Sequence, residues 1–286
     1  MNKRVLTPLR YPGGKTKIYD YIKELICLNE CTTYIEPYAG GAGVAIKLLL
    51  NDVVEKIMIN DYDKSIYAFW YSVLFYTDEL VSKIKETSIC IEEWHRQKEI
   101  QKNKLITEDL LELGFSTLFL NRVNRSGIIK AGVIGGKEQN GKYKMDCRFN
   151  KEDIIDRIIR ISHYRNRIKL YNLDAEVFIK KSISHTRNSF TFFDHPYYEK
   201  GPGLYTNFYG HENHESLSKT IAKYMQSKKW IITYDNHPNI GDIYSPYDSC
   251  LYYLNYSVTK PSKGIEYIFF SPNTQKGEVK RFLKLL

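Results

Sequence analysis

An acid followed by a histidine, a proline and a tyrosine closes a very apolar segment, at Asp194-His195-Pro196-Tyr197. The exocyclic amine of a purine is a poor nucleophile because its lone pair is delocalised into the ring, so it must be held by hydrogen-bond acceptors. A carboxylate and a neighbouring main-chain carbonyl provide two acceptors, and a tyrosine ring provides a stacking surface for a base extruded from a duplex. These residue types therefore favour chemistry on the amino group of a base.

A glycine-rich turn, Glu36-Pro37-Tyr38-Ala39-Gly40-Gly41-Ala42-Gly43, follows a short apolar strand. Such a turn lets the backbone approach a ligand closely, although a turn without a ligand has the same pattern. Asp61, 21 residues after Gly40 and at the end of the next strand, can accept both hydroxyls of a ribose. Together these two features predict a nucleoside cofactor.

The first residue of the turn decides between two cofactor classes. Glu36 would repel a pyrophosphate but could hold the α-ammonium of an amino acid, and the turn lacks a G-x-G-x-x-G pattern. Both observations favour S-adenosylmethionine over a dinucleotide. Asp174, which follows a later strand, could accept the adenine amino group of the cofactor, or it is a turn residue without a ligand.

Strands and helices must bring these distant residues together. The sequence predicts a βα start of a doubly wound α/β sheet, then about a hundred residues without strand rhythm, then further strands. Strands are predicted at Thr33–Ile35, Lys56–Asp61, Ile168–Asn172, Ser189–Phe193, Trp230–Tyr234 and Tyr267–Phe270, and helices at Val44–Leu50, Lys64–Lys85 and Ile91–Lys104. We therefore predict a sheet domain from 1–61 and 165–286, with a mainly helical domain inserted at 62–164.

The positive charge of the chain is concentrated in one segment. The net charge is +9, and between Arg122 and Lys169 there are 13 Lys or Arg residues against 5 Asp or Glu residues. A local basic excess is typical of phosphate-backbone binding, and a basic helical surface is the alternative. We therefore expect a nucleic acid as the partner.

Several other classes of protein do not fit the composition. The apolar runs are shorter than the roughly 18 residues that cross a bilayer, so no membrane role is expected. The cysteine count is odd, at five, and there is no Cys-x-x-Cys pair, which indicates reduced cytoplasmic thiols. His211 and His214 have the spacing of helical metal ligands, but they fit a solvated helix start better, so no metal is assigned.

The chain resembles the Dam-type, D12 class, α-group DNA adenine-N6 methyltransferases. Five segments match in order: Arg10-Tyr11-Pro12-Gly13-Gly14-Lys15, Tyr34 to Gly43, Asn60-Asp61, Phe119-Leu120-Asn121-Arg122 with Ser126-Gly127, and Asp194-His195-Pro196-Tyr197 followed by Leu204-Tyr205. The resemblance implies a Rossmann-like, S-adenosylmethionine-dependent methyltransferase sheet with an inserted target-recognition domain. It also implies double-stranded DNA as substrate and, in restriction-modification, a separately acting endonuclease.

Residue roles follow from the same resemblance. It implies that Asp194 and Tyr197 hold and stack the target base, with His195 and Pro196 in the same motif. The implied cofactor residues are Tyr11, Gly13, Gly14, Lys15, Glu36, Pro37, Tyr38, Gly40, Gly43 and Asp61, joined by Asp174. The Asn121–Arg148 stretch resembles a DNA-reading hairpin, with candidate contacts at Asn121, Arg122, Asn124, Arg125, Ser126, Lys130, Lys137, Lys142, Lys144 and Arg148.

One position departs from the family pattern. The usual tetrad is Asp-Pro-Pro-Tyr, and His195 stands at its second position. Either the substitution is tolerated because the acceptor there is a main-chain carbonyl, or the enzyme is weakened, or the imidazole pairs with Asp194 and competes for its carboxylate. An active adenine methyltransferase is the leading hypothesis. A weakened or inactive homologue that binds DNA or senses methylation is the alternative, and an RNA substrate is a third option.

Overall fold

The computed structural model describes residues 6–10, 15–196, 198, 210–256 and 262–286. Its described residues form two compact units. The sheet unit contains the described residues of 15–62 and 173–286, and the helical unit contains 6–10 and 63–172. Residues 6–10 thus join the helical unit, whereas the sequence-based division placed them with the sheet. The reason is local, because the backbone of Arg10 hydrogen-bonds in both directions with the side-chain amide of Asn121.

The described elements alternate as an α/β protein with a helical insertion. The strands are β1 Thr33–Glu36, β2 Lys56–Asn60, β3 Ile168–Tyr171, β4 Ser189–Asp194, β5 Lys229–Asp235, β6 Asp248–Tyr256 and β7 Ser262–Phe270. The helices are α1 Tyr19–Leu28, α2 Gly43–Leu50, α3 Lys64–Phe75, α4 Thr77–Glu86, α5 Ile91–Lys102, α6 Leu110–Val123, α7 Lys151–Ser162, α8 Ala175–Lys181, α9 His211–Tyr224, α10 Pro238–Ile243 and α11 Val279–Phe282.

Among the described residues, the six strands of the sheet unit run in the order β2-β1-β4-β5-β7-β6. The first four are parallel, and the β7 and β6 strands are antiparallel to their neighbours. From β1 the chain passes to β2 on one side, while β4 lies on the other side. The carboxyl ends of β1 and β4 therefore flank a topological switch point, which is where open α/β sheets bind ligands.

Hydrophobic burial fixes the strands of this sheet. The middle strands read as continuous apolar runs because both of their faces are covered, and β4 is buried from Ser189 to Phe193. Large side chains such as Phe190, Trp230 and Tyr234 are almost completely inaccessible to solvent. A rigid core thus holds the loops at the carboxyl edge, where the polar residues of the predicted site lie.

The helical unit is organised around α6. Every residue of α6 from Leu113 to Val123 is buried, so this helix is the core of the unit. A side chain at Gly114 would place its Cβ 2.5 Å from the carbonyl oxygen of Ala68, so glycine permits the close packing of α6 on α3. The α3 helix begins at Asp63, whose carboxylate accepts from the backbone N–H of Ser65 at 2.8 Å.

Most predicted elements are confirmed, and the differences have local causes. The predicted helix Lys64–Lys85 is two helices, since the backbone leaves helical geometry at Tyr76. Several elements had no prediction, among them the α1, α6 and α7 helices and the β6 strand. The α6 helix is buried on all sides, so its sequence has no clear helical periodicity. Within Asn121–Arg148 the backbone forms short 3₁₀ turns and one antiparallel bridge, between Asn124 and Val133, where a hairpin was expected.

Candidate active site

The carboxylate of Asp194 lies at the carboxyl end of β4 with one oxygen fully engaged. Its Oδ1 is 3.0 Å from Nζ of Lys15 and accepts a 3.0 Å hydrogen bond from the hydroxyl of Thr233. The side chain keeps 30% of its surface exposed. Burial raises the pKa of Asp194, and the nearby ammonium of Lys15 opposes that rise. Among the described residues, these hydrogen-bond and ion-pair contacts all fall on Oδ1 and none on the second oxygen, Oδ2.

Lys15 is itself held by a second carboxylate. Its ammonium lies 3.0 and 3.1 Å from the two carboxylate oxygens of Glu266 on β7, which in turn accepts a 2.6 Å hydrogen bond from the hydroxyl of Tyr252 on β6. Burial alone would favour the neutral amine, but Asp194 and Glu266 together raise the pKa of Lys15 well above its ordinary value. Lys15 is therefore a cation at neutral pH.

The imidazole of His195 points away from this charge cluster. Successive side chains of a strand alternate between its faces, so His195 continues the face of Phe193, opposite to that of Asp194. Its ring stacks on Tyr234 at 4.5 Å and 14°, and on Phe193 at 5.8 Å and 18°. Among the described residues neither ring nitrogen has a hydrogen-bond partner. The reading in which this imidazole pairs with Asp194 is therefore wrong.

His195 is a buried, neutral side chain with a packing role. It is only 2% exposed, and burial together with nearby His214 lowers its pKa well below the ordinary value. The ring also lies 4.9 Å from Tyr38, which follows the acid of the glycine turn. The side chain thus fills space between the two loops without adding charge.

Glu36 ends β1 beside the switch point with an unusual protonation state. Its Oε1 accepts from the hydroxyl of Tyr34 at 3.0 Å and from the backbone N–H of Ala45 at 3.1 Å. Burial raises its pKa to about 8, and the charge of Asp194 adds to the rise. A buried acid of this kind fits a cationic ligand group, which would stabilise its charged form.

The glycine turn and β2 are tied together by two neighbouring residues. Asp61 accepts a 2.8 Å hydrogen bond from the backbone N–H of Gly40, which has a φ of +45°. Asn60 is buried, and its amide donates to the carbonyls of Pro37 at 2.9 Å and Leu173 at 3.0 Å. The loops that contain Pro37, Asp61 and Leu173 therefore lie close together at one edge of the sheet.

Asp174 caps the N-terminus of α8. Its Oδ1 accepts from the backbone N–H groups of Glu176 and Val177, at 2.9 and 3.3 Å. The side chain is exposed and stands one residue after Leu173, whose backbone is held by Asn60. A structural role as a helix cap is therefore present, and its contact with the cofactor stays a prediction.

Comparison with known proteins decides the family. Residues 11–257 match the sequence profile of the D12 class N6 adenine-specific DNA methyltransferases. The chain belongs to this family. The chain is therefore a DNA adenine methyltransferase, as the motif resemblance implied.

One named relative agrees with this membership. The chain is 25% identical over 206 residues to the Type II methyltransferase M.MjaIII of Methanocaldococcus jannaschii, covering 66% of this chain and 68% of the relative. Two solved structures are more distant. The rRNA methyltransferase aviRa from Streptomyces viridochromogenes has a TM-score of 0.35 with 11% identity, covering 84% and 76% of the two chains. The methyltransferase domain of bacterial-CtHen1-CN has a TM-score of 0.39 with 10% identity, covering 90% and 98%.

Some site residues expected in a D12 methyltransferase lie outside the described residues. These are Tyr11, Gly13, Gly14 and Tyr197, together with the Leu204-Tyr205 pair. Pro196 is described and half-buried, and Gly43 begins α2 after Ala42, whose φ is +45°. Among the described residues, no helix is long and apolar enough to span a membrane. The described residues also contain no group of three or more His, Cys, Asp or Glu side chains that could hold a metal ion.

The expected DNA contacts of the helical unit divide into two sets. Asn121, Arg122 and Asn124 are buried. Asn121 donates to the carbonyls of Arg10 and Gly127, at 2.6 and 2.8 Å, and Asn124 accepts a 2.8 Å bond from the indole of Trp94. These side chains shape the loop from within. The exposed or partly exposed set is Arg125, Ser126, Lys130, Lys137, Lys142, Lys144 and Arg148.

Arg122 is the least expected member of the buried set. Its guanidinium donates to the carbonyls of Pro8 and Arg148. Burial, together with the charges of Arg157 and Arg10, lowers its pKa to about 10. An internal arginine bonded to backbone oxygens anchors segments of its own unit, so its contact with DNA stays a prediction.

Four residues of the site escaped the sequence analysis. Glu266 and Tyr252 face each other across β6 and β7, and Thr233 lies opposite Asp194 on β5. No local motif marks them. Tyr198 directly follows the motif, and its backbone N–H donates to Asp235 at 2.9 Å. Its hydroxyl lies 2.9 Å from the imidazole of His211. Knowledge of the strand pairing would have identified Glu266, Tyr252 and Thr233, but the pairing cannot be deduced from a local sequence pattern.

Proposed function

We propose that this protein transfers a methyl group from S-adenosylmethionine to N6 of an adenine flipped out of duplex DNA. The carrying observation is Asp194 at the switch point, with Oδ1 bound by Thr233 and Lys15 and Oδ2 left to accept from an amine. The fit of the cofactor is supported by the raised pKa of Glu36, which suits an α-ammonium, and by Asp61 beside the glycine turn. When bound, the cofactor supplies an electrophilic methyl on sulfur.

The residues of the chain have distinct tasks in this reaction. Asp194 and the main-chain carbonyl of His195 accept hydrogen bonds from N6, which localises the lone pair on nitrogen. With the cofactor bound, N6 would form the new N–C bond while the sulfur leaves with the S–C electron pair, and the positive charge on N6 would be relieved by loss of a proton to water. A carboxylate beside that nitrogen stabilises the charge as it develops. Flipping costs a few kcal/mol of stacking and pairing, which binding energy must offset.

The helical unit fits the DNA-binding part of this proposal. Its long loop carries exposed basic side chains, and the exposed Tyr143 ring lies 5.8 Å below the ammonium of Lys142. Exposed cations contact phosphates, while the buried asparagines keep the loop in shape. The name of the M.MjaIII relative supports a role in type II modification, and we propose that any cognate endonuclease acts as a separate protein.

A labelled-methyl assay tests the proposal. The protein is incubated with methyl-labelled S-adenosylmethionine and unmethylated genomic DNA, and the nucleosides are then identified by mass spectrometry. We expect N6-methyladenine from the wild type and none from Asp194→Asn. The matched control is Asp242→Asn, an exposed acid of the same unit, which should behave as the wild type.

The same assay separates the alternatives. A wild type that binds duplex DNA but gives no methylated base, with activity appearing only in His195→Pro, would support a DNA-binding or methylation-sensing module. Label in N4-methylcytosine would overturn the choice of base, and label in RNA alone would overturn the choice of substrate.

A further inference from the structure

The ion cluster around Lys15 contains a second carboxylate, that of Glu266, in addition to the carboxylate of Asp194. Glu266 is completely buried, the side chain of Lys15 is 2% exposed, and both oxygens of Glu266 lie within 3.1 Å of the ammonium. A buried carboxylate is costly unless it is paired and hydrogen-bonded. The pairing with Lys15 and the hydrogen bond from Tyr252 meet that requirement.

Sharing one ammonium between two carboxylates leaves a net charge of −1. Had Lys15 served Asp194 alone, the pair would be neutral, and the acceptor oxygen would be a weak base. Glu266 draws part of the ammonium's hydrogen bonding away and adds a second negative charge, so the Asp194 carboxylate is a stronger base. In methyl transfer to an amine, positive charge develops on the attacking nitrogen, and a fixed negative charge beside it lowers the barrier.

Strand pairing places Glu266 for this task. Asp194 pairs with Thr233, two residues before Asp235 on β5, and Asp235 pairs with Glu266. Directly opposed residues and residues two apart share a face of the sheet, so Asp194 and Glu266 lie on the same face, separated by one strand. The ammonium of Lys15 fills the space between their carboxylates.

We propose that Glu266, supported by Tyr252, is a positioning residue that sets the charge of Asp194 by sharing Lys15 with it. This inference rests on the proposed function. It assigns to β7 a part in the reaction that Glu266 exerts through Lys15 and Asp194.

The first test measures the carboxyl group directly. In protein labelled with ¹³C at the carboxyl carbons of aspartate, the Asp194 signal is assigned by its loss in Asp194→Asn and is titrated with pH. We expect its pKa to fall in Glu266→Gln, where Lys15 serves Asp194 alone, and to rise in Lys15→Met. An unchanged Asp194 titration in folded Glu266→Gln overturns the proposal, and this result does not depend on any turnover.

The second test measures methyl transfer. We expect Glu266→Gln to lower kcat at least ten-fold with a KM for DNA within two-fold of the wild type. Tyr252→Phe, which removes one hydrogen bond and keeps the ring, should give a smaller decrease. Tyr253→Phe, the next residue on the same strand, is the matched control and should leave kcat unchanged. A normal kcat in Glu266→Gln also overturns the proposal.

The two tests distinguish this inference from the proposed function. If the wild type methylates no DNA but the Asp194 titration moves as expected, the charge sharing stands and the proposed reaction fails. If adenine is methylated and neither the titration nor kcat responds to Glu266→Gln, the proposed reaction stands and this inference fails.

Discussion

The imidazole of His195 stacks on the phenol ring of Tyr234, with centroids 4.5 Å apart and planes inclined by 14°. The two rings lie on the face of the sheet opposite to the Asp194 carboxylate. The substitution within the motif therefore changes packing behind the site, while the main-chain carbonyl of residue 195 is retained.

We expect methyl transfer to survive replacement of this ring. In His195→Phe the stacking is kept and two nitrogens without a described partner are removed, so kcat should stay within about three-fold and the free energy of unfolding should not fall. His195→Pro should remain active but lose roughly 1–3 kcal/mol of stability, since it leaves a void beside Tyr234. Chemical denaturation and the labelled-methyl assay check both variants. A loss of transfer in folded His195→Phe would contradict the packing role.

Glu36 should release a proton when S-adenosylmethionine binds. At pH 7 a group with a pKa of about 8 is mostly protonated, and an arriving ammonium favours its charged form. Isothermal titration calorimetry in buffers of different ionisation enthalpy measures this release. We expect Glu36→Gln to abolish it and to weaken binding at least ten-fold. Glu86→Gln, at an exposed acid, should retain both, and equal proton release by Glu36→Gln would refute the assignment.

His214 should make the protein less stable in acid. It is buried, its Nδ1 lies 2.7 Å from the hydroxyl of Tyr234, and burial lowers its pKa to about 4. Because the ordinary value is near 6.5, the unfolded chain binds the proton first. The stabilising contribution is therefore complete above pH 6.5 and is lost as pH falls toward 4.

Denaturant unfolding at pH 7.5 and pH 4.5 measures this effect. Between these values the wild type should lose on the order of 2–3 kcal/mol more than His214→Asn. His211→Asn, at an exposed histidine of the same helix, should lose as much as the wild type. Equal losses in the wild type and His214→Asn would show that His214 does not titrate as described.

Exposed lysines of the helical unit should contribute salt-dependent DNA affinity. Lys137→Ala and Lys142→Ala each remove one potential phosphate contact, so each should reduce the slope of log K against log salt by about 0.9 and weaken all duplex sequences alike. Fluorescence anisotropy at several salt concentrations measures this slope. Lys219→Ala, at an exposed lysine of α9, should leave it unchanged. An unaltered slope in both test variants would remove these lysines from the DNA surface.

The sequence by itself determined the elements whose signals are local. Continuous apolar runs predicted β1, β2, β4 and β5, because strands covered on both faces must be hydrophobic. The glycine turn with Glu36 and the Asp194 motif predicted where ligands bind, since residue type and position at a strand end already limit the chemistry. The order of five motifs was enough to indicate the family.

Tertiary structure decided what depends on strand pairing and burial. No local pattern links Lys15 to Glu266, 251 residues apart, and only the antiparallel β7 strand brings the carboxylate to the ammonium. Burial likewise gives Asn121 a role in anchoring its loop, and its contact with DNA stays a prediction. The side of the sheet taken by His195 followed from the alternation of β4. Such properties depend on which atoms surround a group, and the surrounding atoms come from distant parts of the chain.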